Sequence, residues 1–236
     1  MTALRIAVAT RCFDQPLRQA LSTASGTGAS GVQFDARNEL RPADLSATGR
    51  RELLHRLSEL QLRPASVSFP VRRPLADANG LEARVGGIKA AMQFAWELNA
   101  PIVCVRPGRA PQDLSSAEGR LLADVLNDLA RHGNRVGATL CLTPTRESAD
   151  ALLNVVDSVT EGPVGIDFDP AAFVTAGFDA TAAFQRLHAR VAHFTVRDAL
   201  RDVDGGGVEV PVGRGEVVWD ELLATLDEAG YAGWQT

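Results

Sequence analysis

This chain has little cysteine, histidine or lysine, and each shortage removes a class of function. Among its 236 residues only Cys12, Cys104 and Cys141 are cysteines, an odd number with no CxxC pair. That excludes a disulfide framework and a zinc knuckle. Cys104 and Cys141 sit inside apolar strand-like runs, where buried reduced thiols are expected, and no histidine is placed to activate Cys12. The four histidines show no pair at ligand spacing, so a histidine-rich metal cluster is not expected. Lys89 is the one lysine among 24 basic residues, and the net charge is −5. No global field favours nucleic acid or an anionic membrane as a partner. No apolar run reaches the length of a membrane span, and MTALRIAVAT carries no basic leader, so a cytoplasmic location is expected. No GxGxxG follows the first apolar run, which argues against an open dinucleotide-binding sheet.

What is present is a repeated unit: a short apolar run, then a longer segment with helical periodicity. Strands are expected at 4–10, 31–35, 65–69, 101–105, 138–143, 164–168 and 191–196. Helices are expected after each, with Leu53, Leu57 and Leu60 or Val85, Ile88 and Met92 as typical stripes. The seventh helix comes late, around 219–228, after a glycine-rich insertion. An eighth strand should begin at Gly233. Seven such units and the start of an eighth predict a (β/α)8 TIM barrel occupying 1–236 as one domain. With about four residues and no closing helix, the eighth strand reads as truncated, and the product is expected to continue past Thr236.

In such a barrel the chemistry sits where the strands end. The run VGIDFDPAAFVTAG closes its strand on Asp167 and Asp169, which alternation places on one side. Arginine recurs at the other strand ends: Arg11, Arg37, Arg72 with Arg73, Arg106, and Arg197 followed by Asp198. A guanidinium grips phosphate or carboxylate with paired hydrogen bonds, so one reading is an anion pocket. The other is a ring of structural Arg–Asp pairs. The charged runs DARNEL and SFPVRRP are long for mere connectors and favour a site. In the insertion, GRG carries Arg214 and leads into a helix, which suits phosphate better than the GGG at 205–207 does. His55, His132 and His188 read as outer-surface residues. His193 shares a strand face with Thr195 and Arg197 and is expected to be buried and hydrogen-bonded. Glu147 is expected in the first turn of a helix, serving its dipole.

Three segments carry a resemblance: VGIDFDPAAFVTAG, VAHFTVRDA and GRGEVVWDELLATLDEAGYAGW. Together they resemble the sugar phosphate isomerase/epimerase group with the xylose isomerase-like barrel, over nearly the whole chain. The resemblance implies a divalent cation (Mn, Mg or Zn) held by carboxylates and histidines from strands five to eight. It also implies a glutamate pair that moves a proton beside a sugar carbonyl. Carried over residue by residue, Asp169 matches the strand-six aspartate. Thr143, Ala172 and Thr195 stand where other ligands are implied, and the strand-eight glutamate position lies past Thr236. Asp169 is therefore the expected catalytic residue and the one metal ligand, in a degenerate site. Asp167, Asp198 and the arginines Arg11, Arg37, Arg72, Arg73, Arg106, Arg197 and Arg214 are the expected substrate-binding set. The expected function is an isomerase or epimerase acting on a small anionic sugar derivative. Its rival is a non-catalytic barrel that binds such a ligand or a partner. An oligomer is compatible with either.

Overall fold

Parallel pairing needs a crossover between strands, and the helical segments supply one after each run. The computed structural model describes residues 4–236. In chain order its strands and helices are β1 (Arg5–Ala9), α1 (Leu17–Gly26), β2 (Gly31–Asp35), α2 (Ala47–Glu59), β3 (Arg63–Ser68) and α3 (Leu81–Glu97). Then come β4 (Ile102–Val105), α4 (Ala117–Val136), β5 (Thr139–Leu142), α5 (Ala149–Asp157), β6 (Val164–Phe168), α6 (Pro170–Ala176) and α7 (Ala180–Leu187). The last are β7 (Val191–Phe194), β8 (Asp198–Arg201), β9 (Gly207–Val210), α8 (Trp219–Glu228) and β10 (Trp234–Gln235). Eight strands close in the order β1-β10-β7-β6-β5-β4-β3-β2, all parallel, which is a TIM barrel.

The eighth strand is present. Two residues of β10 bridge the seam, with Gln235 opposite Ile6 on one side and Phe194 on the other. Backbone bonds from Val196 to Thr236 and from Thr236 to Phe194 extend the closure. Beside this seam Leu4 and Ile6 are exposed. Two small inward residues make room inside the barrel floor: a methyl on Gly31 would lie 2.6 Å from the Trp234 ring, and one on Gly165 2.8 Å from Ala192.

Helix starts follow their caps. Gly49, Gly119 and Ala151 donate their N–H groups to Ser46, Ser116 and Ser148, which end extended segments. Each helix then turns an apolar stripe inward, as Leu122, Val125, Leu126 and Leu129 do on α4. Burying one such side chain stabilises the fold by about 1.5–3 kcal/mol. Around the sixth and seventh strands the core is aromatic: Phe168 contacts the rings of Phe173, Phe184 and Phe194 at 5.1–5.4 Å.

Two elements were not expected. A short helix, α6, follows β6 directly, because Asp169 caps it and Pro170 fits its first turn. The glycine-rich insertion is partly an antiparallel hairpin, β8–β9, whose turn uses positive φ at Gly205 and Gly206.

Candidate active site

Alternation along the barrel strands brings a polar set to the C-terminal mouth, where it lines a cavity of about 740 Å3. On the floor, His193 and Asp167 face one another across β7 and β6, with His193 Nδ1 2.8 Å from Asp167 Oδ1. A register shift between Ile166 and Asp167 sets this pairing. Thr195 Oγ1 donates to the same oxygen at 2.8 Å, and Thr143 Oγ1 donates to Oδ2 at 2.7 Å. His193 Nε2 lies 3.0 Å from both Ser66 Oγ and Thr236 Oγ1, and Ser66 accepts from Gln33 Nε2. Nδ1 is the ring atom that donates to Asp167, and the Ser66 and Thr236 hydroxyls stand within hydrogen-bond reach of Nε2. Burial by itself would raise the Asp167 carboxyl; the neighbouring His193 and the hydrogen bonds from His193, Thr143 and Thr195 outweigh it and hold Asp167 below the ordinary range. Burial, reinforced by the Asp167 charge, pushes the Cys104 thiol well up. Cys104 and Cys141 are buried and free, as inert thiols.

Asp169 lies at the cavity wall and is wholly buried. Its Oδ2 accepts from Arg197 Nη1 at 2.6 Å and from Arg106 Nη2 at 3.1 Å. Its Oδ1 caps α6 by accepting from the Ala172 N–H. Here burial wins: it raises the Asp169 carboxyl against the pull of Arg197 and Arg106, and the nearby Asp167 charge adds to the rise. Arg197 makes a second ion pair, from Nε and Nη2 to Glu209 Oε2 on β9. Burial tends to lower the Arg197 guanidinium, but Asp169 and Glu209 more than offset that and raise it.

The expected binding set divides. Arg11, Arg106, Arg197, Asp167 and Asp169 all line the cavity. Arg37 instead donates to the Pro70 carbonyl and lies over the Phe69 ring. Arg72 and Arg214 are exposed outside the cavity lining, and Arg73 pairs with Asp77 in solvent. Asp198 is turned into its own loop. It accepts the N–H groups of Ala199, Gly213, Gly215 and Val217 and the Trp219 indole N–H. Burial would raise the Asp198 carboxyl, but these donors, the indole first, hold it low. Its role is to fold the GRG segment, not to face a ligand. Glu147 precedes its helix rather than starting it, and caps the turn through Thr145 and Arg146. Gln33, Ser66, Thr236 and Glu209 belong to the site without a signal in their residue types; strand alternation alone points to the first two.

A divalent cation of the implied kind does not fit at Asp169. Both carboxylate oxygens are committed, and two guanidinium groups already bring positive charge to the place a cation would occupy. Hard cations need several oxygen ligands. Among the described residues Cys104, Asp167 and His193 form a group that could hold a metal, with potential ligand atoms within 4.8 Å of one another. Sulfur, nitrogen and oxygen together suit zinc better than magnesium or manganese. In this structure Asp167 and His193 spend those atoms on one another and on neighbouring hydroxyls.

The family model described as xylose isomerase-like TIM barrel matches residues 21–236. An uncharacterized protein of Methanocaldococcus jannaschii is 25% identical over 189 residues. That match takes in 73% of this chain, which spans 59% of the relative's length. Among solved structures, a xylose isomerase domain protein from Planctomyces limnophilus superimposes with a TM-score of 0.86 at 22% identity, covering 100% of this chain and 90% of that one. A xylose isomerase-like barrel protein from Mycobacterium smegmatis in complex with magnesium gives 0.80 at 16% identity, covering 99% and 89%. The 3-keto-D-glucoside 4-epimerase of E. coli gives 0.76 at 13% identity, covering 99% and 90%. At these identities the likeness is one of fold.

Proposed function

The chain belongs to the xylose isomerase-like TIM barrel family, and from that premise we propose that its mouth cavity binds a small anionic carbohydrate derivative and moves a proton next to its carbonyl. The observation that carries this reading is the convergence of Arg106 and Arg197 on buried Asp169 at the cavity wall. Arg11, with its side chain 55% exposed at the same mouth and 3.9 Å from Asp35, offers an anionic group a third guanidinium. That similar folds include a sugar epimerase supports the carbohydrate class.

In the proposed reaction Asp169 takes the proton from the carbon beside the carbonyl. Its burial raises the carboxyl and makes it the stronger base of the two aspartates. The electron pair of the broken C–H bond passes to the carbonyl oxygen, and the Arg106 and Arg197 guanidinium groups stabilise the resulting enolate. Return of the proton from Asp169 to the same face of the adjacent carbon, with the hydroxyl proton passing from that carbon's oxygen to the former carbonyl oxygen, completes an isomerisation; return to the original carbon regenerates the ligand. No step passes through a metal.

A second reading, a barrel that binds the same ligand without turning it over, is favoured by one fact. Every carboxylate oxygen of Asp167 and Asp169 already accepts a hydrogen bond. Thermal-shift screening of sugar phosphates and sugar acids, followed by NMR in D2O, separates the two. Catalysis predicts deuterium entering the ligand next to its carbonyl, and Asp169→Asn should slow that entry about a hundredfold or more. Binding without deuterium entry identifies the second reading; no hit in the screen overturns both.

A further inference from the structure

Glu209 stands at the edge of the mouth cavity with its carboxylate on Arg197. Beside the main cavity lies a second, of about 270 Å3, between α6 and the β8–β9 hairpin. Three residues line both cavities: Arg106, Arg197 and Glu209. Together with Asp169 they form the partition between the two. Its charges balance, with two guanidinium groups against two carboxylates. The carboxylates are held very differently. Asp169 is wholly buried, is fixed on β6 and caps α6, so it cannot leave. The Glu209 side chain is 58% exposed on a two-stranded hairpin, and its ion pair with Arg197 is of the exposed, weakly held kind.

The Arg197 fork uses Nη1 on Asp169 and turns Nε and Nη2 together toward Glu209 Oε2. Two donors on one side of a guanidinium are the arrangement that recognises an external carboxylate or phosphate. From this we propose that Glu209 is a built-in surrogate for the ligand's oxyanion. An oxyanion arriving in the main cavity displaces it from Arg197, and the hairpin then swings free to join the two cavities. On departure Glu209 returns and restores the balance of two guanidinium groups against two carboxylates. Arg146 and the Gly206–Gly207 backbone line the far side of the second cavity and would meet the longer end of such a ligand. The inference rests on the anion-binding reading of the mouth but adds to it a competitor within the chain.

Inorganic phosphate is the probe, titrated calorimetrically into the full chain at low ionic strength. Glu209→Gln keeps the shape and removes the competing charge, so it should bind phosphate about fivefold more tightly than the wild type. Asp220→Asn, the same charge change on the outer helix α8, should leave the affinity where it was. Adding Arg197→Gln to Glu209→Gln should abolish the gain. In the wild type, phosphate should also speed amide hydrogen exchange across 198–210. Equal affinity in the wild type and Glu209→Gln, or a gain that survives Arg197→Gln, overturns the surrogate while leaving an anion site standing. Phosphate binding by neither protein overturns the anion site as well.

Discussion

Asp167 has the most exposed consequences at the level of single side chains. Its three hydrogen-bonded neighbours, Thr143, His193 and Thr195, sit on or just past the ends of two other strands, so one carboxylate ties β5, β6 and β7 together at the cavity floor. Its folded pKa lies below the ordinary value of about 3.9. The stabilisation this supplies is therefore fully present above that value and is lost as pH falls through the depressed folded pKa. Asp167→Asn should cost about 1–3 kcal/mol at neutral pH, because it leaves His193 without its acceptor charge. The same variant should flatten the acid side of a plot of melting temperature against pH below about pH 4. An unchanged acid limb would mean that other carboxylates carry it. From residues alone the shared face of Asp167 and Asp169 was readable, since alternation requires it. Their separate fates were not. One answers a histidine 26 residues on and the other two arginines, and those partners depend on a register shift in β6 that no spacing encodes.

Among the elements, the barrel strands announced themselves and the hairpin did not. Apolar runs of four to six residues separated by helical stripes leave few alternatives to a parallel sheet, so the strand positions are legible. The β8–β9 pair is short, polar on one face and closed by glycines, which reads equally well as an irregular loop. What organises it is Asp198, through four backbone donors and the Trp219 indole. Loss of those acceptors leaves buried N–H groups unpaired, a cost of about 1–3 kcal/mol each where water cannot replace them. Asp198→Ala should thus loosen the segment 211–218 selectively. Limited proteolysis should cut there many times faster than in the wild type, while circular dichroism of the barrel stays unchanged. Uniform unfolding instead would show that this segment and the barrel are one cooperative unit.

For the whole molecule the decisive feature is closure, and it rests on very little strand. Only Trp234 and Gln235 form β10, yet they complete the ring of eight. The sequence places an eighth strand from Gly233 and reads it as truncated; two residues of it suffice for the pairing. Their contribution comes from what they touch. The Trp234 ring fills the floor against Gly31 on β2 and lies 4.2 Å from the Arg5 guanidinium on β1, so one side chain packs on the two strands that follow the seam. Gly31 is glycine because a methyl there would lie 2.6 Å from that ring. Gly31→Ala should therefore destabilise the fold by about 1–3 kcal/mol through overpacking. Trp234→Leu alone should also destabilise it, by opening a gap on the floor. If the two positions act through one contact, the double variant should be more stable than the sum of the single losses predicts. Urea unfolding midpoints of the four proteins measure this directly. Additive losses would mean that the floor does not couple the last strand to the second, and that closure is held by the backbone bonds of β10 alone.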